Sequence, residues 1–128
     1  LLKRIFKNSL QGWAYNPDAF TDEDIEQYLE AYRKPGAIRA TINYYRASMR
    51  YPKRQDGKKP QNIEAPVLMI WGENDKALGK ELTYNTHKYC NNSLEIKYIK
   101  DCSHWVQHEY PSLVNQYILT YLGHIEGK

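Results

Sequence analysis

The chain has 128 residues, 41% of them hydrophobic and 26% charged, with 18 Lys plus Arg against 15 Asp plus Glu. That is one domain's length of ordinary globular composition; it excludes collagen-like and disordered chains and allows about two-thirds of the unfolded surface to be buried without metal or disulfide staples. The net charge of +3 is local: residues 50–59 hold Arg50, Lys53, Arg54, Lys58 and Lys59 against Asp56, which leaves 13 basic and 14 acidic residues elsewhere.

The basic cluster lies beside Pro52, Gly57 and Pro60 and is not spread along a helix or groove, so it reads as a solvated connector and no nucleic-acid partner is expected. Cys90 and Cys102 are too few for a disulfide framework and lack paired Cys/His spacing for zinc, so reduced thiols in a cytosolic setting are expected. No run approaches the roughly 18 apolar residues of a membrane-spanning helix, and the opening Leu1-Leu2-Lys3-Arg4-Ile5 is not a signal peptide. Because the chain starts at Leu1 and not at Met, inside what reads as an element, an N-terminal portion is expected to be missing.

In chain order, Thr21-Asp22-Glu23-Asp24 reads as a helix start, with Thr21 capping free amides and the acids matching the positive end of the helix dipole. Ile25, Tyr28, Leu29 and Tyr32 then share a helical face, and Lys34-Pro35-Gly36 stops the helix. Ile38, Ile42, Tyr45 and Met49 form the stripe of a second helix ending before Pro52. After the connector, Val67-Leu68-Met69-Ile70-Trp71 is an uninterrupted apolar run ending at Gly72, the pattern of a parallel strand buried on both faces. Leu78, Leu82 and Tyr89 suggest a helix. Asn91-Asn92-Ser93 then turns into a second strand, Leu94-Glu95-Ile96-Lys97-Tyr98-Ile99, completing a right-handed crossover unit. Pro111 opens a last helix through Leu113, Val114, Tyr117, Ile118, Tyr121 and Leu122, with Gly123 as its expected end. Two parallel strands leave edges and faces uncovered, so this half reads as the terminal part of a larger doubly wound sheet.

Open α/β sheets bind ligands beyond the carboxyl ends of their strands. Both strands here run into polar sequence at those ends, Gly72-Glu73-Asn74-Asp75 and Lys100-Asp101-Cys102-Ser103-His104-Trp105. If the strands are parallel, Asp75 and His104 share one sheet edge, where the acid can fix the imidazole's tautomer.

Trp71-Gly72-Glu73-Asn74-Asp75, followed 29 residues after Asp75 by His104 in Ser103-His104-Trp105-Val106-Gln107, resembles the acid and base segments of the α/β-hydrolase superfamily. More narrowly, Asn43-Tyr44-Tyr45-Arg46 after Pro35-Gly36 is similar to the cap motif of epoxide hydrolases, especially the animal branch whose full-length members carry an N-terminal membrane anchor. The resemblance runs from about Asp18 through Leu122. It implies an α/β fold: the last parallel strands and helices of an α/β-hydrolase core, residues 63–128, preceded by a partial helical cap, 1–51, and the connector, 52–62. It further implies Asp75 as orienting acid, His104 as base, Tyr45 as a cap hydrogen-bond donor to the epoxide oxygen and Trp105 as a substrate-lining residue. The resemblance also implies a small-molecule epoxide substrate opened to a vicinal diol through an aspartyl ester, with no metal or organic cofactor. The parent protein is expected in the cytoplasm or at the endoplasmic-reticulum membrane.

The family's nucleophile elbow, Gly-x-Asp-x-Gly, and its His-Gly-x-Pro oxyanion loop do not occur in this chain, so the resemblance is to the C-terminal part of an epoxide hydrolase and the isolated chain is expected to lack turnover. Other α/β-hydrolase chemistries, a haloalkane or fluoroacetate dehalogenase or an esterase, remain open, as does a non-enzymatic truncated product. So do plainer roles for the named residues. His104 and Trp105 fit a core, Asp75 fits a helix cap, and Tyr45 fits the packed stripe with Ile42 and Met49. His87 and His108 read as surface histidines.

Overall fold

The structure, a computed structural model, describes residues 1–50 and 61–127. Most of the connector expected at 52–62, including its basic residues Lys53, Arg54, Lys58 and Lys59, lies outside the described residues.

The first half is helical. Helix α1 (Leu2–Leu10) leads through a short 3₁₀ turn, Pro17–Ala19, into α2 (Asp22–Arg33) and α3 (Ala37–Arg50). The α2 start follows from local chemistry: Thr21 Oγ1 accepts the Asp24 amide at 3.1 Å while the Asp24 carboxylate accepts the Thr21 amide at 2.8 Å. Each partner satisfies a donor the first helical turn leaves free. Gly36, with φ of +83°, turns the chain from α2 into α3 in a left-handed conformation that a side chain would strain. Leu10, Ala14, Phe20, Ile25 and Leu29 form a fully buried cluster, with Phe6, Tyr28 and Trp105 packed against it.

Strands β1 (Val67–Gly72) and β2 (Leu94–Ile99) pair in parallel, Val67 opposite Leu94 and Gly72 opposite Ile99. Helices α4 (Val106–Glu109) and α5 (Pro111–Glu126) follow and pack on β1. Ile99, Cys102 and Val114 form a second, smaller buried cluster. The two parallel strands and their helices make this an α/β arrangement.

Three local expectations are corrected. The segment between the strands is two 3₁₀ turns, Lys80–Thr83 and Thr86–Tyr89, and not one helix. Leu78, Leu82 and Tyr89, whose spacing suggested a helix, are all exposed, so no buried face holds a longer helix together. Strand β1 is half-buried up to Gly72 and not enclosed on both faces, because a two-stranded sheet with helices on it covers only part of its surface. Gly123 does not end the last helix; α5 continues to Glu126, since glycine lowers helix propensity by about 1 kcal/mol without breaking the hydrogen-bond ladder.

Candidate active site

The ends of β1 and β2 are stitched together by backbone. The Glu73 amide donates to the Ile99 carbonyl at 3.0 Å and the Asn74 amide to the Cys102 carbonyl at 2.9 Å. Gly72 permits this approach, because a Cβ there would overlap the carbonyl oxygens of Cys102 and Ser103. Asp101, at φ of 52°, turns β2 into the loop that carries His104.

The stitched ends bring Asp75 and His104 together, with His104 Nδ1 2.8 Å from Asp75 Oδ2. The carboxylate divides its work. Oδ1 accepts the amides of Ala77 and Leu78 at 2.8 and 2.9 Å, the turn-capping role, while Oδ2 faces the imidazole. The Asp75 side chain is 5% exposed and that of His104 is 37% exposed, so the acid is buried and the ring opens to the surroundings. Burial pushes the Asp75 carboxyl up, but hydrogen bonds from His104 and from the Leu78 and Ala77 amides outweigh it and hold the group below the usual carboxylate range. An ionised carboxylate can only accept, so Nδ1 carries the shared proton and Nε2 of a neutral ring keeps its lone pair free.

Trp105 follows His104 with their rings 5.0 Å apart, and packs edge-on against Phe20 of the helical half at 5.9 Å. Its indole nitrogen is buried without a hydrogen-bond partner among the described residues. Trp105 and Tyr45 both line a cavity of about 670 Å³ whose other walls include Phe6, Leu10, Tyr28 and Ile42. Tyr45 is 63% exposed on α3, so it is not a packed core residue. Its ring meets Tyr44 edge-on, and it makes no polar contact with Asp75 or His104 among the described residues. The structure thus pairs Asp75 with His104 and sets Trp105 beside His104; Trp105 and Tyr45 line the cavity, to which neither Asp75 nor His104 contributes a wall.

His108 corrects the reading of two surface histidines. His87 is exposed, but His108 is half-buried, shares a 3.0 Å hydrogen bond with the Tyr28 hydroxyl and packs with its ring centre 4.3 Å from that of Phe20, tilted by 31°. Glu109 gave no sequence signal beyond its place two residues before Pro111. Its carboxylate accepts the Ser103 amide at 2.8 Å, the Ser103 hydroxyl, and the Asn16 amide at 2.9 Å.

Neither side chain before His104 is a competent nucleophile. Burial, with the Glu109 and Asp75 carboxylates adding to it, pushes the Cys102 thiol up to about 12, so it stays protonated at neutral pH. The Ser103 hydroxyl is buried and spent on Glu109. Among the described residues no group of three His, Cys, Asp or Glu side chains is placed to hold a metal, and no helix is long and apolar enough to cross a membrane.

No protein-family model matches the chain. The AB hydrolase superfamily protein YfhM of Bacillus subtilis is 40% identical over 111 residues, covering 87% of this chain and 37% of that protein. Human epoxide hydrolase 4 is 31% identical over 122 residues, covering 95% of this chain and 33% of that protein. Among solved structures, the epoxide hydrolase CorEH superposes with a TM-score of 0.76 at 23% identity, over 97% of this chain and 42% of that one. The chain spans roughly a third of the length of these two sequence relatives. Over that third it is homologous to α/β-hydrolases that include epoxide hydrolases, and its strands and helices are part of the α/β-hydrolase fold.

Proposed function

We propose that the chain supplies the acid–base pair and part of the substrate cavity of an α/β-hydrolase that opens epoxides to vicinal diols through an aspartyl ester. The observation that carries this reading is the 2.8 Å contact between His104 Nδ1 and Asp75 Oδ2 at the carboxyl ends of two adjacent parallel strands, with the next residue, Trp105, on the wall of a mostly apolar cavity. Homology to proteins named epoxide hydrolases supports the choice of substrate class.

In the first step an aspartate oxygen, supplied by an elbow segment outside these 128 residues, attacks an epoxide carbon. The ring C–O bond breaks and its electron pair stays on the oxygen. Tyr45, on the cavity wall, donates a hydrogen bond to that oxygen and then its proton, which leaves a hydroxyl on the substrate. Tyrosine suits the role because a phenol is protonated at neutral pH yet more acidic than an aliphatic hydroxyl. In the second step water attacks the ester carbonyl while His104 Nε2 takes its proton, and Asp75 steadies the imidazolium. The acyl C–O bond breaks, the His104 imidazolium gives its proton to the leaving oxygen so that the diol departs neutral, and the proton of the carboxylic acid so formed returns to the Tyr45 phenolate, which regenerates the aspartate. Trp105 bounds the cavity beside the base.

The test is a chimera that places an α/β-hydrolase segment bearing a Gly-x-Asp-x-Gly elbow ahead of this chain, exposed to an aryl epoxide. The chimera should form diol, and the 128-residue chain by itself should not. His104→Gln should consume one equivalent and accumulate a covalent adduct visible by mass spectrometry. Tyr45→Phe should slow adduct formation by roughly tenfold to a thousandfold and leave its hydrolysis unchanged. A folded chimera that cleaves aryl esters and leaves epoxides intact would move the reading to an esterase.

A further inference from the structure

One side chain outside the acid–base pair governs the main chain on both sides of the base. The Ser103 amide and hydroxyl both donate to Glu109 Oε1, and the Trp105 amide donates to the Ser103 hydroxyl oxygen at 3.3 Å. The residues flanking His104 are therefore tethered to one carboxylate, directly or through a single hydroxyl. Among the described residues, the one hydrogen bond that His104 itself makes is its ring contact with Asp75. The other oxygen, Glu109 Oε2, accepts the Asn16 amide, 93 positions away in the helical half. Asn16 caps the 3₁₀ turn that leads to Phe20, and Phe20 packs on Trp105 and His108.

We infer that Glu109 is a positioning residue: its carboxylate holds the His104 loop in register with Asp75 and makes that register depend on the docked helical half. The inference rests on the reading of His104 as the base. A carboxylate fits the role because both oxygens accept, and charge-assisted bonds to amides and hydroxyls are roughly twice as strong as neutral ones. An amide at this position has one accepting oxygen. Glutamine can keep the two Ser103 bonds by turning its NH₂ toward Asn16, where it meets another donor.

The readout is the Nδ1 proton of His104, observed by NMR in the 128-residue chain as its rate of exchange with water, alongside exchange at the Ser103 amide. In Glu109→Ala both should exchange about tenfold faster or more, while the amides of Ile25 and Leu29 in α2 keep their parent rates. Glu109→Gln should restore the Ser103 amide and only part of the Nδ1–H protection, because the Asn16 arm stays broken. A merely structural role would move amide protection and leave the imidazole proton unchanged. An Nδ1–H rate in Glu109→Ala within about twofold of the parent overturns the inference and leaves the proposed function standing. A parent chain with no protected Nδ1 proton overturns both, since the His104–Asp75 pair itself is then absent. If Glu109→Ala does not fold, Ser103→Ala, which deletes only the hydroxyl arm, carries the test: faster Nδ1–H exchange supports the inference and an unchanged rate overturns it.

Discussion

The helical half and the strand half bury their apolar side chains differently. In the first, Leu10, Ala14, Phe20, Ile25 and Leu29 are all 5% exposed or less, because α1 and α2 close on one another around the segment between them. In the second, β1 and β2 are mostly half-buried, and among the described residues the fully buried apolar side chains are Ile99, Cys102 and Val114, at the end where the strands run into the His104 loop and α5 crosses it. Consecutive helices can enclose a core with few partners, whereas a two-stranded sheet cannot cover its own faces. The acid–base pair belongs to neither core. Asp75 follows β1 and His104 follows β2, and the His104 loop with α4 is held to the helical half through Trp105 on Phe20, His108 on Tyr28 and Glu109 on Asn16.

The contrast makes graded predictions. Phe20→Ala should have the largest effect, a loss of about 3–5 kcal/mol in urea unfolding, because it empties a sealed site and removes the surface on which Trp105 rests. Met69→Ala in half-buried β1 should cost less than about half of that; equal losses would mean that the strand half is as tightly enclosed as the helical half. Thr21→Ala should cost about 1 kcal/mol by breaking the reciprocal cap of α2, and Thr21→Ser should recover most of it.

The smallest effect concerns acid. The Asp75 carboxyl is held below its usual value in the folded chain, so the stability it contributes is fully present above its unfolded pKa of about 3.9 and is lost as the pH falls through the lower folded value. Asp75→Asn should therefore flatten the loss of stability below about pH 4 in a thermal-melt series. It should not abolish that loss, because Asp22, Asp24 and Glu26 in the helical half are also held low, each first by a side-chain hydrogen bond, from Lys7, Thr21 and Lys3 respectively. An identical pH profile in parent and variant would show that the Asp75–His104 bond does not form in solution.

Features with a local cause were legible beforehand. Thr21 and Asp24 are three residues apart, so the cap is written within one helical turn. Pro35-Gly36 separates α2 from α3 wherever the two helices lie, and the run from Val67 to Gly72 has the length and branching of a strand. The sheet edge shared by Asp75 and His104 follows from one further step, since parallel strands bring their carboxyl ends together.

The 3₁₀ turns between the strands were not legible, because a helical spacing of Leu78, Leu82 and Tyr89 yields a helix only where a surface exists to bury that face, and here none of the three is covered. The partners of His108 and Glu109 were hidden for a related reason. Tyr28 and Asn16 lie 80 and 93 positions away, and no periodicity links residues whose meeting depends on how the helical half settles against the loop after β2. Short-range hydrogen bonding and side-chain patterning specify elements and order them along the chain; which polar groups then share a half-buried carboxylate is set by packing between elements, where each group finds the partner whose absence would leave it unsatisfied.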